Sequence, residues 1–242
     1  KELVSRLGSA YMRGLQDNGV LATAKHFPGH GDTDQDSHKT LPIISYTKER
    51  LDSIELAPFK RLIGEGLGGM MIAHLIVPAL DTTESLASTL SIPIVTDLLR
   101  NELGFDGLIF TDALNMKGVS DFWESGELEV RALMAGNDVL LFPGDVPTAV
   151  DRILEAVELG VLTESQIDEH CLRVLQTKEW CGLDNPENAL VSEQNLFADL
   201  NSPRALALKQ RVIESSLTVL KNPAIIPFKT RQIPEIAVLQ FG

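Results

Sequence analysis

The stretch DGLIFTD, residues 106–112, decides the fold class. It is a short, unbroken run of apolar residues that ends on the carboxylate of Asp112. An alternating pattern would indicate a strand with one face in water, whereas an unbroken run is typical of a strand covered on both faces. The stretch therefore predicts a buried strand of a parallel sheet, with Asp112 at its carboxyl end.

The same design recurs along the chain. Strands are also predicted over residues 20–27, a short run suited to a strand, and over residues 68–78 and 137–143, which read GGMMIAHLIVP and NDVLLFP. Segments with helical spacing alternate with these strands and cover residues 1–18, 48–65, 91–103, 127–135, 148–159 and 165–177. Strand, loop and helix thus repeat four times, which predicts an α/β protein with a parallel sheet covered by helices.

Two architectures satisfy this order, an open doubly wound sheet and part of a (β/α)8 barrel. No glycine-rich GxGxxG turn follows any strand, which weakens the dinucleotide-binding version of the open sheet. Lys25 with His26, His74 and Asp112 each stand at the end of a predicted strand. Because barrels collect their chemistry at the carboxyl ends of strands, we predict part of a barrel.

Four units cannot close a barrel of eight strands, which needs about 250 residues. We therefore expect residues 1–180 to form the second half of a (β/α)8 barrel whose first half precedes Lys1. Residues 181–203 are rich in Asn, Asp, Glu, Ser and Pro and predict a linker. Residues 204–242 predict the truncated start of a second α/β domain, with a helix over 205–220 and a strand over 235–241.

Composition excludes several classes of function. The 242 residues carry a net charge of -13, so we expect no nucleic-acid partner, because nothing here would neutralise a polyanion. Two cysteines, Cys171 and Cys181, do not make a disulfide framework. No stretch approaches the roughly 18 apolar residues that span a bilayer, so we expect no membrane span in this chain. The chain starts without methionine and in mid-helix, so we expect its true N-terminus to lie upstream.

Titratable side chains concentrate in KHFPGHGDTDQDSHKTLP, residues 25–42. Its aspartates suit a calcium loop, but the positions that need Gly and Glu hold Ser37 and Ile43. A zinc site needs three or four converging ligands, and Pro28 with the following glycine keeps His26 and His30 off a common helix face. We therefore expect no metal and no other cofactor.

Acid/base chemistry fits the residue types of this loop better. Asp36 stands two residues before His38, and a carboxylate can fix the tautomer of an imidazole that titrates near neutrality. Asp112 is the candidate for the attacking group, with the N-cap of a following helix as the alternative. The alternative for His26 and His30 is that they satisfy backbone groups at a strand end.

Four segments together are similar to one enzyme family. KHFPGHGDTDQDSHKTLP, MMIAHLIVPALD, LLRNELGFDGLIFTDALNMKGV and ALMAGNDVLLFPGD resemble glycoside hydrolase family 3, and within it the bacterial β-N-acetylhexosaminidases that act on peptidoglycan fragments. The similarity runs from about Tyr11 to Lys178. A weaker one, in SSLTVLKNPAIIPF, resembles the lead-in to the second α/β domain of longer members.

The resemblance implies a role for each matched position. Asp112 matches the nucleophile that forms a covalent glycosyl-enzyme. His38 matches the acid/base, with Asp36 as its orienter. Lys25 and His26 match the pair that grips sugar hydroxyls.

The resemblance also places His74 at the floor of the pocket and implies a substrate. It implies a retaining exo-β-N-acetylglucosaminidase for carbohydrates with terminal N-acetylglucosamine, either glycosides or muropeptides. Retaining glycosidases normally use two carboxylates. Here His38 takes the second place and is neutral after giving up its proton, so phosphate is an alternative acceptor to water. A non-catalytic sugar-binding domain is the alternative of another class, and the bacterial cytoplasm and periplasm both stay open.

Overall fold

A computed structural model of the chain describes residues 1–32, 41–190, 192–218 and 220. The chain divides into two compact units, residues 1–189 and 190–242. The strand predicted over residues 235–241 lies outside the described residues.

A three-stranded parallel sheet lies at the centre of the described part of the first unit. Its strands are β1 (Thr23–Phe27), β2 (Gly69–Ile72) and β3 (Leu108–Thr111), and they lie side by side in chain order. In the two parallel pairs Gly69 of β2 stands opposite Thr23 of β1 and Leu108 of β3. Each crossover therefore advances by one strand in one direction, as it does in a (β/α)8 barrel.

The fourth predicted strand, over residues 137–143, is reduced to a single bridge. Val139 pairs with Phe110 in the parallel direction, and Thr111 N donates to Val139 O at 3.0 Å. Leu141 N then donates to the side-chain hydroxyl of Thr111, at 2.9 Å, instead of to a backbone carbonyl. The segment runs beside β3, but this side-chain bond replaces the regular ladder, so the prediction of a full strand here is wrong.

Helices alternate with the strands, as the apolar spacing predicts. They are α1 (Glu2–Gln16), α2 (Lys48–Arg50), a π-type turn (Leu51–Glu55), α3 (Ala57–Gly64), a 3₁₀ turn (Ser88–Leu90), a π-type helix (Pro93–Glu102), α4 (Lys117–Ser120), α5 (Glu127–Ala135), α6 (Val146–Glu158), α7 (Glu164–Trp180) and a 3₁₀ turn (Pro186–Ala189). The six helices predicted for this unit are confirmed, with bounds that shift by a few residues. The helix predicted over 48–65 is divided at Leu56, and Pro58 is the second residue of the new helix α3, where its missing N–H is tolerated.

The core lies between the sheet and its covering helices. Phe27 and Ile109 are fully buried, and the ring of Phe27 meets that of Phe59 edge to face at 5.4 Å between centroids. A side chain at Gly107 would put its Cβ 2.4 Å from the carbonyl oxygen of Gly68. Glycine is therefore required where the chains that lead into β2 and β3 approach each other closely.

A buried carboxylate connects the sheet to α7. Asp138 Oδ1 accepts hydrogen bonds from His170 at 2.8 Å and Arg173 at 3.0 Å, while Oδ2 accepts from Ile109 N at 2.8 Å and from the Arg100 guanidinium. Burial alone would raise the pKa of Asp138, but the hydrogen bond from His170 and the charge of Arg100 outweigh burial, so the pKa is lowered. Four donors thus hold one carboxylate in its charged form.

We expect Asp138→Asn to lower the free energy of unfolding by about 3–5 kcal/mol, because the substitution leaves Arg100 buried without a counter-ion. Glu155→Gln is the matched control. Its carboxylate also pairs with an arginine, Arg152, at 2.8 Å, but both side chains are about half exposed, so the substitution should change stability little. Urea unfolding measures both variants, and an equal effect would contradict the structural role of Asp138.

The described part of the second unit is helical. It contains α8 (Leu196–Leu200) and α9 (Pro203–Ser216), whose start is capped by the Ser202 hydroxyl accepting from Ala205 N at 3.3 Å. Helix α8 falls within the predicted linker, and the predicted domain boundaries stay a prediction. No helix among the described residues is long and apolar enough to cross a bilayer.

Candidate active site

The carboxyl ends of the three strands bring polar side chains to one edge of the sheet. Lys25 and His26 lie in β1, His74 follows β2, and Asp112 follows β3 directly. Asp112 N donates to Ile72 O at 2.9 Å, which continues the β2–β3 ladder by one residue. The residues that the sequence places at strand ends thus lie at one edge of the sheet, and their predicted roles in a site stay predictions.

Asp112 and His26 are close neighbours at this edge. Asp112 Oδ2 lies 3.7 Å from His26 Nε2, and the two side chains keep 19% and 26% of their surface exposed. Asp112 Oδ1 accepts from Ala113 N at 2.9 Å. One carboxylate oxygen is thus held by its own turn and the other faces the imidazole, while the Asp112 side chain as a whole remains partly accessible.

The N-cap alternative for Asp112 is wrong. The helix that follows, α4, begins at Lys117, and its cap position is Met116. The hydrogen bond that Asp112 Oδ1 accepts comes from the next residue, not from the first turn of a helix. The carboxylate is therefore not committed to helix capping.

The imidazole of His26 is held in its neutral form. Burial lowers the pKa of His26, and the charge of Lys25 acts in the same direction, as do His30 and His74. The Asp112 carboxylate raises the pKa, but it does not compensate, and the net pKa lies below the ordinary 6.5. At neutral pH the contact therefore joins a carboxylate to a neutral ring that can still donate a hydrogen bond.

His74 is completely buried. Its Nδ1 lies 2.7 Å from the Thr89 hydroxyl, and its Nε2 lies 3.0 Å from Ala113 O. Burial lowers the pKa of His74, although its hydrogen bond to Ala113 and the charge of Asp112 raise it. The predicted place of His74 at the floor of a sugar pocket stays a prediction, and its described polar contacts are to protein groups.

The first residues of the histidine loop pack against the turn that follows α2. Gly29 has a φ of 136°, and a Cβ added there would lie 2.6 Å from Cβ of Glu55. Glu55 Oε1 in turn accepts from Arg50 at 3.0 Å. Only glycine fits this position, because both the backbone angle and the close approach exclude a side chain.

Tyr46 and Arg50 hold the side chain of Asp32, the last described residue of this part of the loop. Its Oδ2 accepts from the Tyr46 hydroxyl at 2.6 Å and from Arg50 at 3.4 Å. Asp36 and His38 lie outside the described residues, so their predicted acid/base roles stay predictions. Among the residues that the structure describes, no third His, Cys, Asp or Glu joins a pair to form a group that could hold a metal ion.

Sequence analysis missed Thr89 and the partners of Asp32. Thr89 lies in the segment LASTLS, which carries no motif, and it meets His74 from 15 residues away. Tyr46 and Arg50 are an aromatic residue and a cation that lie beyond the loop, and nothing in the sequence around them predicts their contact with Asp32. Such contacts depend on the fold and are invisible in local spacing.

A family model for the N-terminal domain of glycosyl hydrolase family 3 matches residues 1–177. The chain therefore belongs to glycosyl hydrolase family 3. The predictions of the family and of an α/β fold of barrel type are confirmed.

Particular relatives narrow the comparison. The beta-hexosaminidase A of Pseudoalteromonas piscicida is 30% identical over 246 residues, which cover 94% of this chain and 40% of the relative. The beta-hexosaminidase of Nitrosospira multiformis is 35% identical over 194 residues, which cover 80% of this chain and 52% of the relative. A glycoside hydrolase family 3 beta-N-acetylglucosaminidase from Paenibacillus, whose structure is solved, is 41% identical in sequence, and its structure gives a TM-score of 0.82. The match covers 91% of this chain and 42% of the relative. The chain thus spans about half of these relatives or less.

We expect Gly29→Ala to lower the free energy of unfolding by more than about 1 kcal/mol, because the new methyl group meets Glu55 and the backbone angle disfavours any side chain. Gly31→Ala is the matched control two residues on, where an added Cβ meets open space. Thermal unfolding of both variants checks this. A milder effect at position 29 than at position 31 would contradict the close packing.

The buried histidines predict a pH dependence of stability. The pKa of His74 is lowered in the folded state, so below about pH 6.5 the unfolded chain takes up a proton that the folded chain refuses. Its contribution to stability is therefore present above the ordinary pKa of 6.5 and is lost as the pH falls below that value towards the lowered pKa of the folded state. His74→Gln should reduce this slope by at most about 1.4 kcal/mol per pH unit. Urea unfolding at a series of pH values measures it, and an unchanged slope would contradict the neutral burial of His74.

Proposed function

We propose that the full-length protein is a retaining exo-β-N-acetylglucosaminidase that removes terminal β-linked N-acetylhexosamine, with muropeptides as the natural substrate class. The observation that carries the proposal is the partly accessible Asp112 carboxylate, 3.7 Å from His26 at the carboxyl edge of a parallel sheet. Membership of glycosyl hydrolase family 3 supports it. So do the relatives named beta-hexosaminidase and the similar structure of a beta-N-acetylglucosaminidase.

Asp112 is the nucleophile in this proposal. Its carboxylate attacks the anomeric carbon of the terminal sugar, and the bond from that carbon to the leaving oxygen breaks. Ala113 N–H holds Oδ1, so Oδ2, which faces His26, is the oxygen left to attack. The product of this step is a covalent glycosyl ester of Asp112.

His38 supplies the proton that the leaving oxygen needs, with Asp36 as its orienter. In the second step His38 takes a proton from water, whose oxygen attacks the anomeric carbon and frees Asp112. The anchoring of Asp32 by Tyr46 and Arg50 supports this arrangement, because it fixes the chain four residues before Asp36.

Lys25 and His26 bind the sugar hydroxyls in this proposal. The Lys25 ammonium donates hydrogen bonds and cannot accept them, whereas the neutral ring of His26 can do both. A neutral His26 also adds no positive charge of its own beside the Asp112 carboxylate. The carboxylate can then stabilise the positive charge that develops on the sugar in the transition state while it attacks the anomeric carbon.

We expect Asp112→Asn to reduce kcat on a chromogenic β-N-acetylglucosaminide by about a thousandfold or more, because an amide cannot form the ester intermediate. Asp106→Asn is the matched control, since Asp106 is an exposed aspartate that precedes the same strand. Steady-state assays of the full-length protein measure both. Full activity of Asp112→Asn would show that another group attacks.

Phosphorolysis is the second candidate, because the structure of a beta-glucoside phosphorylase, BglX, is 25% identical with a TM-score of 0.84. Product analysis with and without phosphate distinguishes the two reactions. Free N-acetylglucosamine in both buffers identifies the hydrolase, whereas a sugar 1-phosphate identifies the phosphorylase. No release in either buffer would favour a non-catalytic sugar-binding domain.

A further inference from the structure

A fully buried chain of polar groups leads to the residue after Asp112. The Asn137 amide donates to Thr89 O at 2.9 Å, and the Thr89 hydroxyl lies 2.7 Å from His74 Nδ1. His74 Nε2 lies 3.0 Å from Ala113 O. The side chains of Asn137, Thr89 and His74 have no exposed surface. These hydrogen bonds connect three separate segments of the polypeptide. The proposed chemistry gives them no role.

The hydrogen atoms in this chain fix the tautomer of His74. A carbonyl oxygen can only accept, so His74 Nε2 must carry a hydrogen to bond Ala113 O. The single hydroxyl hydrogen of Thr89 has two acceptors in reach, His74 Nδ1 and Ala73 O, the latter at 2.8 Å. Burial favours the neutral imidazole, in which Nδ1 accepts from Thr89 and Nε2 donates to Ala113.

The peptide group between Ala113 and Leu114 is held at both ends. His74 binds its carbonyl oxygen, and its N–H donates to Leu141 O at 2.8 Å. With that peptide fixed, the preceding N–H of Ala113 has a fixed direction, and it donates to Asp112 Oδ1 at 2.9 Å. The orientation of the Asp112 carboxylate therefore depends on a hydrogen bond made one peptide away.

We propose that His74 is a positioning residue for Asp112, and that Thr89 holds His74 in the neutral Nε2–H tautomer that this task requires. This inference rests on the proposed role of Asp112 as nucleophile. It gives His74 a role that needs no contact with the sugar, which agrees with its complete burial. A misaligned carboxylate binds substrate normally but attacks slowly, so the loss should fall on kcat and not on KM.

Two substitutions of His74 separate its two nitrogens. In His74→Gln an amide N–H takes the place of Nε2–H, whereas in His74→Asn the amide reaches only the position of Nδ1. We expect His74→Gln to keep kcat within about threefold of the wild type, and His74→Asn to lose about tenfold or more with KM nearly unchanged. Thr89→Ser should match the wild type, while Thr89→Val, which lacks the hydroxyl, should lose kcat.

Azide rescue of the full-length protein tests whether His74 acts through Asp112. In Asp112→Ala, azide replaces the carboxylate: its nitrogen bonds to the anomeric carbon of a chromogenic β-N-acetylglucosaminide, and the phenolate leaves with the bonding electrons. Adding His74→Asn should leave this rescued rate unchanged, because no carboxylate remains to be positioned. A merely structural role would slow the rescued reaction by the same factor as the hydrolysis, and that result would overturn the proposal.

The outcomes distinguish this inference from the proposed function. Full hydrolytic activity of Asp112→Ala would refute the nucleophile and the positioning role together. An inactive Asp112→Ala with a fully active His74→Asn would refute only the positioning role. NMR of protein with ¹⁵N-labelled histidine gives a readout apart from activity, with the His74 signal identified by its loss in His74→Gln. A neutral Nε2–H tautomer at neutral pH supports the proposal, and an imidazolium or an Nδ1–H tautomer would overturn it.

Discussion

The backbone hydrogen bond from Asp112 N to Ile72 O is the constraint on which the site depends. It extends the β2–β3 ladder by one residue, and Ala73 N does the same for β1 by donating to Phe27 O at 2.8 Å. Side chains on the first residues after a rigid strand are held in position more precisely than side chains on loops. The candidate nucleophile is thus fixed by the sheet itself, while β1 carries Lys25 and His26 to the same edge of the sheet.

The two ends of the sheet are stabilised by different means. At the carboxyl end, burial keeps His26 and His74 neutral beside the Asp112 carboxylate. Towards the amino end of β3, four hydrogen-bond donors surround Asp138, among them the Arg100 and Arg173 guanidinium groups, and each oxygen of that carboxylate has two donors. Saturated charges resist movement, whereas a partly accessible carboxylate can react, so stability and chemistry are separated along one strand.

The sequence predicted the elements better than the contacts between them. Short runs suited to strands predicted β1, β2 and β3, and Lys25, His26, His74 and Asp112 lie at or just after the ends of these strands as predicted, because strand burial and strand direction are local properties. The fourth strand failed because one hydroxyl, that of Thr111, takes a ladder hydrogen bond, a substitution that no periodicity reveals. Thr89 escaped notice for a similar reason: its bond to His74 joins two loops that only the folded chain brings together.

The saturation of Asp138 has a consequence for how this part of the protein can evolve. Its four donors come from β3, from the helix that precedes β3 and from α7. A change at Asp138 leaves all of them without their shared acceptor, and a change at one donor removes a hydrogen bond from a buried carboxylate. Single replacements are then costly even where a coordinated set would be tolerated, and their effects will not add. We therefore expect substitutions at these positions to occur in pairs. The network should slow sequence divergence where α7 packs against the sheet.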